Sequence, residues 1–156
     1  FVDRTWGRKD TYFDGPETKH VSAANPYCPE LRKTAIEAGK SLGITIHEKG
    51  TVVVIQGPRF STVAESRWFS KMGWDVINMT QYPECYLARE LGICYANIAL
   101  ITDYDAGLEG NEDILPVTHE EVLKVFKENN EKLKNMLFEI IKRIDLSKDN
   151  CCCSEI

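Results

Sequence analysis

The alternation of β-branched runs with helical stretches between residues 51 and 102 constrains this chain's fold more than any other feature. The run "TVVVIQ" (51–56) suits a pleated strand, and it ends at "GPRF", where Gly57 and Pro58 stop the ladder. "STVAESRWFSKMG" (61–73) has helical character, with Ser61 as its cap and Glu65 one place late for a capping box. A second strand is expected at "DVINMT" (75–80), a helix at "PECYLARELG" (83–92) and a third strand at "ICYANIALIT" (93–102). Within that third strand "YANIAL" is apolar enough to be buried on both faces. Strands alternating with helices predict an α/β layered domain with a largely parallel sheet.

The flanks fit that frame. Residues 1–28 are polar and turn-rich apart from a short strand at the very start. From Pro29, Leu31, Ala35, Ala38 and Leu42 fall at helical intervals, and Gly43 stops the helix. A Thr118 to Glu121 capping box opens a last helix with an apolar stripe through Val122, Phe126, Leu133, Leu137, Ile141 and Ile144. The Gly- and acid-rich stretch 106–116 between them could be a lid. At 156 residues and 43% hydrophobic the chain can bury one core, so residues 1–146 are expected to form a single domain, followed by a cysteine-rich tail at 147–156.

A formal net charge of −5, with no Lys/Arg cluster interleaved with aromatics, argues against nucleic acid as a partner. No apolar run approaches the ~20 residues that span a bilayer, and the opening "FVDRTWGRKD" lacks a signal peptide's apolar core, which points to the cytoplasm and no membrane. "FVDRT" reads as the middle of an element, so residues upstream of Phe1 are expected. Six cysteines are many for a reducing compartment, and the cytosol of a hyperthermophile, where disulfides persist, reconciles the two. The tail "NCCCSEI" lacks His and a second ligand pair, so its spacing predicts no metal; disulfides and a solvated reduced tail both stay open.

Ligands of open α/β sheets sit beyond the carboxyl ends of the strands. Three expected strand ends bring chemistry there: Phe60 after "GPRF", then Asn78, Met79 and Thr80, then Asp103 and Asp105 in "TDYD". A period of two puts both aspartates on one side of the strand and Tyr104 on the other. Paired carboxylates in a partly dry pocket repel, and one then keeps its proton towards neutrality, as a general acid must. The residues alone equally allow a solubilising strand end, or an Asp that caps the following turn, with Phe60 and Met79 as core. The chain has no G-x-G-x-x-G, no G-x-x-x-x-G-K-[ST] and no H-E-x-x-H, which leaves nicotinamide cofactors, P-loop nucleotides and zinc peptidase chemistry without support.

Taken together, "GPRFSTVAESRWF", "DVINMTQYPECYLARELGICYANIALITDYD" and "PVTHEEVLKV" resemble the C-terminal part of the methylthioadenosine phosphorylases, a branch of the trimeric purine nucleoside phosphorylase family, of archaeal thermophile type. The resemblance implies the phosphorylase/hydrolase-like three-layer fold, with helices flanking a mixed, largely parallel sheet. It implies a pentosyltransferase in which inorganic phosphate, as co-substrate, attacks C1′ of 5′-methylthioadenosine, with adenosine as a second substrate. Adenine and the pentose 1-phosphate result, with no cofactor and no metal. It also implies a homo-oligomer, either a trimer or a dimer of trimers.

By the same resemblance, Asp103 meets N7 and the amino group of adenine, and Asp105 holds the amino edge. Phe60 packs on the base and Met79 lies against the ribose, with Ser61, Ile77, Asn78, Thr102 and Val122 completing the base and ribose site. Thr80 donates to phosphate, and His20 reaches a neighbouring subunit's site. Asp103 and Ser61 favour a 6-aminopurine, since the sister enzymes for 6-oxopurines carry Asn and Glu there. His119 resembles the oxopurine enzymes' partner for a 5′-hydroxyl, which would admit adenosine; alternatively it only occupies the first turn of the last helix. Cys28 and Cys94 form a candidate disulfide of the thermophilic type. The family's Gly-rich phosphate loop and Arg-His pair have no counterpart in these residues, so the isolated chain is expected to be inactive without an N-terminal part, supplied as a separate chain or as more of the same polypeptide. The competing readings are a hydrolytic nucleosidase and a non-catalytic nucleoside-binding or assembly fragment.

Overall fold

A computed structural model describes residues 1–108, 111–145, 151 and 153. The chain divides into two compact units, one made of residues 1–5, 49–79 and 99–135, the other of residues 6–48, 80–98 and 136–156.

The first unit holds a sheet of three parallel strands in the order β1 (Val2–Arg4), β2 (Val52–Ile55), β3 (Val76–Asn78). Val53 of the central strand pairs with Val2 on one side and Ile77 on the other. All four residues of β2 are buried, as a continuous β-branched run in a parallel sheet should be. Between β2 and β3 the chain forms α2 (Val63–Lys71), whose Phe69 packs with Val53, Ile55, Trp74, Ile77 and Met79. The cap of α2 is Thr62 rather than Ser61. Thr62 Oγ1 accepts from the Glu65 N–H at 3.2 Å and the Glu65 carboxylate accepts from the Thr62 N–H at 2.8 Å, so the box that looked one place late is in register from the next residue. Arg59 donates to both Glu65 oxygens, at 2.8 and 2.7 Å, and with the Thr62 N–H holds that carboxyl down at about 2.

The expected third strand does not form: residues 93–102 pair with no strand among the described residues, and within "YANIAL" Asn97 and Ala99 are exposed and no residue is buried, so the run is not buried on both faces. β-branched composition marks a segment that fits a pleated surface, but a strand also needs a neighbour to complete its ladder.

The second unit contains α1 (Pro29–Ser41), stopped by Gly43 at φ 66°, and α3 (Gln81–Glu90), whose helical geometry breaks at Tyr82. The last helix, α4 (His119–Arg143), opens on the expected box, Thr118 accepting from Glu121 N–H at 3.3 Å and Glu121 from Thr118 N–H at 3.1 Å. Its residues 119–135 belong to the first unit and 136–143 to the second. In the second unit Met136 and Ile140 of α4 pack on Ala38 of α1, with Ile44, Ile46, Ile98 and Ile144 around them. The stripe read through Phe126, Leu137 and Ile141 is exposed instead. Apolar residues cover a broad face of this helix, wider than one row, and the row that packs is the one facing Ala38 and Gly39, where a Cβ on Gly39 would lie 3.2 Å from Met136 Cε. No described helix is long and apolar enough to cross a membrane.

Candidate functional site

Parallel pairing brings the carboxyl ends of β2 and β3 to one edge, with Val54 beside Asn78. Beyond β2 the Gly57–Pro58 turn delivers Phe60, 40% exposed, and Ser61; beyond β3 the chain continues into Met79. A Cβ on Gly57 would lie 2.7 Å from Met79 Sδ, so turn and methionine are in contact because Gly57 has no side chain. Met79 also packs on the Val53 and Phe69 cluster, which makes it both a core residue and a residue of this edge.

The aspartates are placed by a turn rather than by a pleat. Asp103 Oδ1 accepts from the Asp105 N–H at 2.8 Å, closing an Asx turn, and Asp103 Oδ2 accepts from Thr102 Oγ1 at 2.6 Å. Asp105 has φ 51°, the only described residue other than glycine in the left-handed region. The period-of-two reading therefore fails, and the turn-capping alternative holds for Asp103. The same bonds fix the direction of its carboxylate while leaving each oxygen a further lone pair.

Two further bonds set the loop. The Gly107 N–H donates to Tyr104 C=O at 2.9 Å, and the Val117 N–H to Asp105 C=O at 2.8 Å. The second ties the acidic turn to the residue preceding the Thr118 cap, and so to the start of α4, where His119 is exposed and Val122 half-buried. Gly107 has φ 90°, and a Cβ there would lie 2.8 Å from Ile114 C=O, a backbone atom that cannot swing away. Gly107→Ala is expected to cost about 2–3 kcal/mol through left-handed strain plus this clash; a denaturation midpoint equal to that of the unaltered protein would refute the packing of this loop.

Ser61 Oγ, Asn78 Oδ1 and Asp105 Oδ2 share one further property. Each is buried with no hydrogen-bond partner among the described residues. Buried polar atoms without partners cost about 1–3 kcal/mol each, a cost that bound water or a polar ligand would relieve.

The other expected site residues lie in the second unit. Thr80 precedes α3, exposed, and its hydroxyl makes no capping bond to the helix. His20 is exposed in the turn-rich segment before α1. A surface depression of about 320 Å³ along α1, lined by Arg32, Ile36, Lys40 and Glu48, contains none of the expected site residues.

Cys28 and Cys94 are free thiols, so the expected disulfide is not made. Cys94 does not begin a strand; its Sγ lies 3.3 Å from that of Cys151, beyond the ~2.05 Å of a sulfur–sulfur bond. Cys28, Cys94, Cys151 and Cys153 present four Sγ atoms all within 4.8 Å of one another. Tail spacing concealed this group, because Cys28 and Cys94 supply the second pair from distant segments. Burial pushes the Cys94 thiol up and Cys153 to about 11, while hydrogen bonding from the Cys153 backbone lowers Cys151.

Residues 1–142 match the phosphorylase superfamily. The chain is 49% identical over 156 residues to the S-methyl-5′-thioadenosine phosphorylase of Pyrococcus abyssi, covering 100% of this chain and 58% of that protein. Its fold is similar to that of a variant of the adenosine/methylthioadenosine phosphorylase of Schistosoma mansoni in complex with adenine, with TM-score 0.85 and 32% identity over 94% of this chain and 59% of that one. A methylthioadenosine phosphorylase from an antarctic soil metagenomic library gives TM-score 0.85 and 35% identity over 98% and 53%. The chain thus spans under two thirds of the length of the relatives it matches.

Proposed function

Because the chain belongs to the phosphorylase superfamily, we propose that it carries the base- and ribose-binding part of a 6-aminopurine nucleoside phosphorylase, acting on 5′-methylthioadenosine and secondarily on adenosine. The observation that carries the reading is the set of partnerless buried atoms on Ser61, Asn78 and Asp105. A purine nucleoside, rich in donors and acceptors, satisfies such atoms in a way an apolar ligand cannot.

Asp103, oriented by its turn, addresses N7 and the amino group of adenine. As the bond to C1′ stretches, negative charge gathers on the purine, and a proton delivered or shared at N7 stabilises its departure. Asp105 accepts from the amino edge, Phe60 lies on the ring face and Met79 offers a soft apolar surface to the cationic sugar. Ile77, Thr102 and Val122 close the site around the nucleoside. Thr80, whose hydroxyl is not used as a cap, donates to the inorganic phosphate that attacks C1′. His119 meets the 5′-substituent and favours a hydroxyl. No organic cofactor or metal takes part. Residues 1–146 act as one domain in a trimer or dimer of trimers, with His20 reaching the neighbouring copy's site.

The test is adenine release by the intact protein with and without inorganic phosphate. Release with formation of a pentose 1-phosphate only when phosphate is present supports the reading. Release without phosphate would establish a hydrolase, and adenine binding without turnover even when the N-terminal part is supplied would establish an assembly fragment; either outcome refutes it. Gly57→Ala should press on Met79 and lower kcat/KM for methylthioadenosine by about 10- to 100-fold, as expected for a displacement of about 1 Å at a substrate face; unchanged kinetics would remove Met79 from the ribose site.

A further inference from the structure

We propose that Cys28, Cys94, Cys151 and Cys153 bind a structural zinc ion through four thiolates. The inference is independent of the nucleoside site. The four Sγ atoms come from three separate segments yet lie within 4.8 Å of one another, with Cys94 and Cys151 at 3.3 Å. Zinc–sulfur bonds of about 2.3 Å in a tetrahedron place sulfur atoms about 3.8 Å apart along each edge, inside that range. Small side-chain rotations bring the four atoms onto the vertices.

The donor set selects the metal class. All four donors are sulfur, with no carboxylate or imidazole in the group, a combination that suits zinc and disfavours magnesium or calcium. Cys28 and Cys153 are 1% and 6% exposed, so the ion would be shielded on that side.

Two features prepare the site before any ion arrives. The Cys28 N–H donates to Tyr95 C=O at 2.7 Å, which fastens the segment carrying Cys94 against the residue opening α1. Cys28 is also the N-cap of α1 and its side chain makes no capping bond, so its sulfur is not engaged by the first turn of the helix. Cys151 and Cys153, one residue apart, then supply two neighbouring vertices. Binding exchanges four thiol protons for one divalent cation, a step without oxidation or reduction, and it ties residues 151 and 153 to the start of α1. Cys85, fully buried and outside the group, is the internal control.

The intact protein, produced in zinc-supplemented medium and purified with reductant and without chelator, should carry one zinc per chain by elemental analysis. Exchange into cobalt(II) should give sulfur-to-metal charge-transfer bands and the intense visible bands of a tetrahedral sulfur site, a readout that requires no substitution. Cys94→Ser combined with Cys151→Ser should weaken zinc retention by more than about 100-fold, the upper range for losing only an indirect partner of a ligand, whereas Cys85→Ser retains the ion. The proposal is overturned by metal-free protein with four alkylatable thiols, by disulfides among these cysteines after the same reducing purification, by iron in place of zinc, or by zinc that survives the double substitution.

Discussion

Asp103→Asn should lower phosphate-dependent adenine release from methylthioadenosine by about 10²- to 10⁴-fold, the range over which a general acid contributes. The asparagine amide would face the purine amino group donor to donor, and it has no acidic proton to share with N7. A 6-oxopurine reverses the first conflict, because its carbonyl accepts from the amide; inosine cleavage should therefore be spared or improved relative to adenosine. The substitution is mild for the fold. Asparagine Oδ1 can still accept from the Asp105 N–H, and Asn closes Asx turns as readily as Asp. The Thr102 hydroxyl, which now donates to Asp103, can accept from the new amide. Stability should thus stay within about 0.5 kcal/mol, as for most substitutions that leave no group unpaired. Steady-state kcat/KM on both nucleosides, with a denaturation curve as control, tests the assignment. Equal losses on both substrates at unchanged stability would mean that Asp103 does not read the purine's 6-position.

The parts of this architecture legible in the sequence are those set by local chemistry. β2 announces itself through four consecutive β-branched residues, α1 through its Gly43 stop and α4 through the reciprocal Thr118 and Glu121 bonds. Each depends on residues within a few positions of one another. Apart from the cap of α2, set by Thr62 rather than Ser61, and the local turn at Asp103, the differences involve a partner that sequence spacing does not specify. Residues 93–102 have strand composition but no described neighbour. On α4 several rows are apolar, and only the packing on Ala38 chooses Met136 and Ile140 over Leu137 and Ile141. The aspartates stand out as chemistry in the sequence, yet their direction comes from an Asx turn, a local alternative that competes with the pleat. The thiols of Cys28 and Cys94 join those of Cys151 and Cys153 only through the fold, so no local motif could reveal the group.

Glu90→Ala should have the largest effect on stability, a loss of about 2–4 kcal/mol, because it removes a buried charge-bearing acceptor and strands the donors that face it. The side chain ends α3 at 1% exposure, accepting from Thr11 Oγ1 at 2.7 Å and from the Tyr12 N–H at 2.8 Å. Alanine leaves a cavity, and the Tyr12 N–H then has no acceptor in its place. Glu90→Gln separates packing from hydrogen bonding. Its amide oxygen can accept from the Tyr12 N–H while its NH₂ donates to Thr11 Oγ1, which already accepts from the Phe13 N–H at 3.0 Å and has a second lone pair. Two bonds therefore survive in altered polarity, and the glutamine variant should lose only about 1 kcal/mol, near the net value of one ordinary hydrogen bond. Urea denaturation of both variants measures the difference. If alanine and glutamine cost the same, the loss arises from the carboxylate's charge rather than from its bonds to Thr11 and Tyr12; if neither costs more than about 0.5 kcal/mol, the segment 11–13 is not anchored to α3 through Glu90 at all.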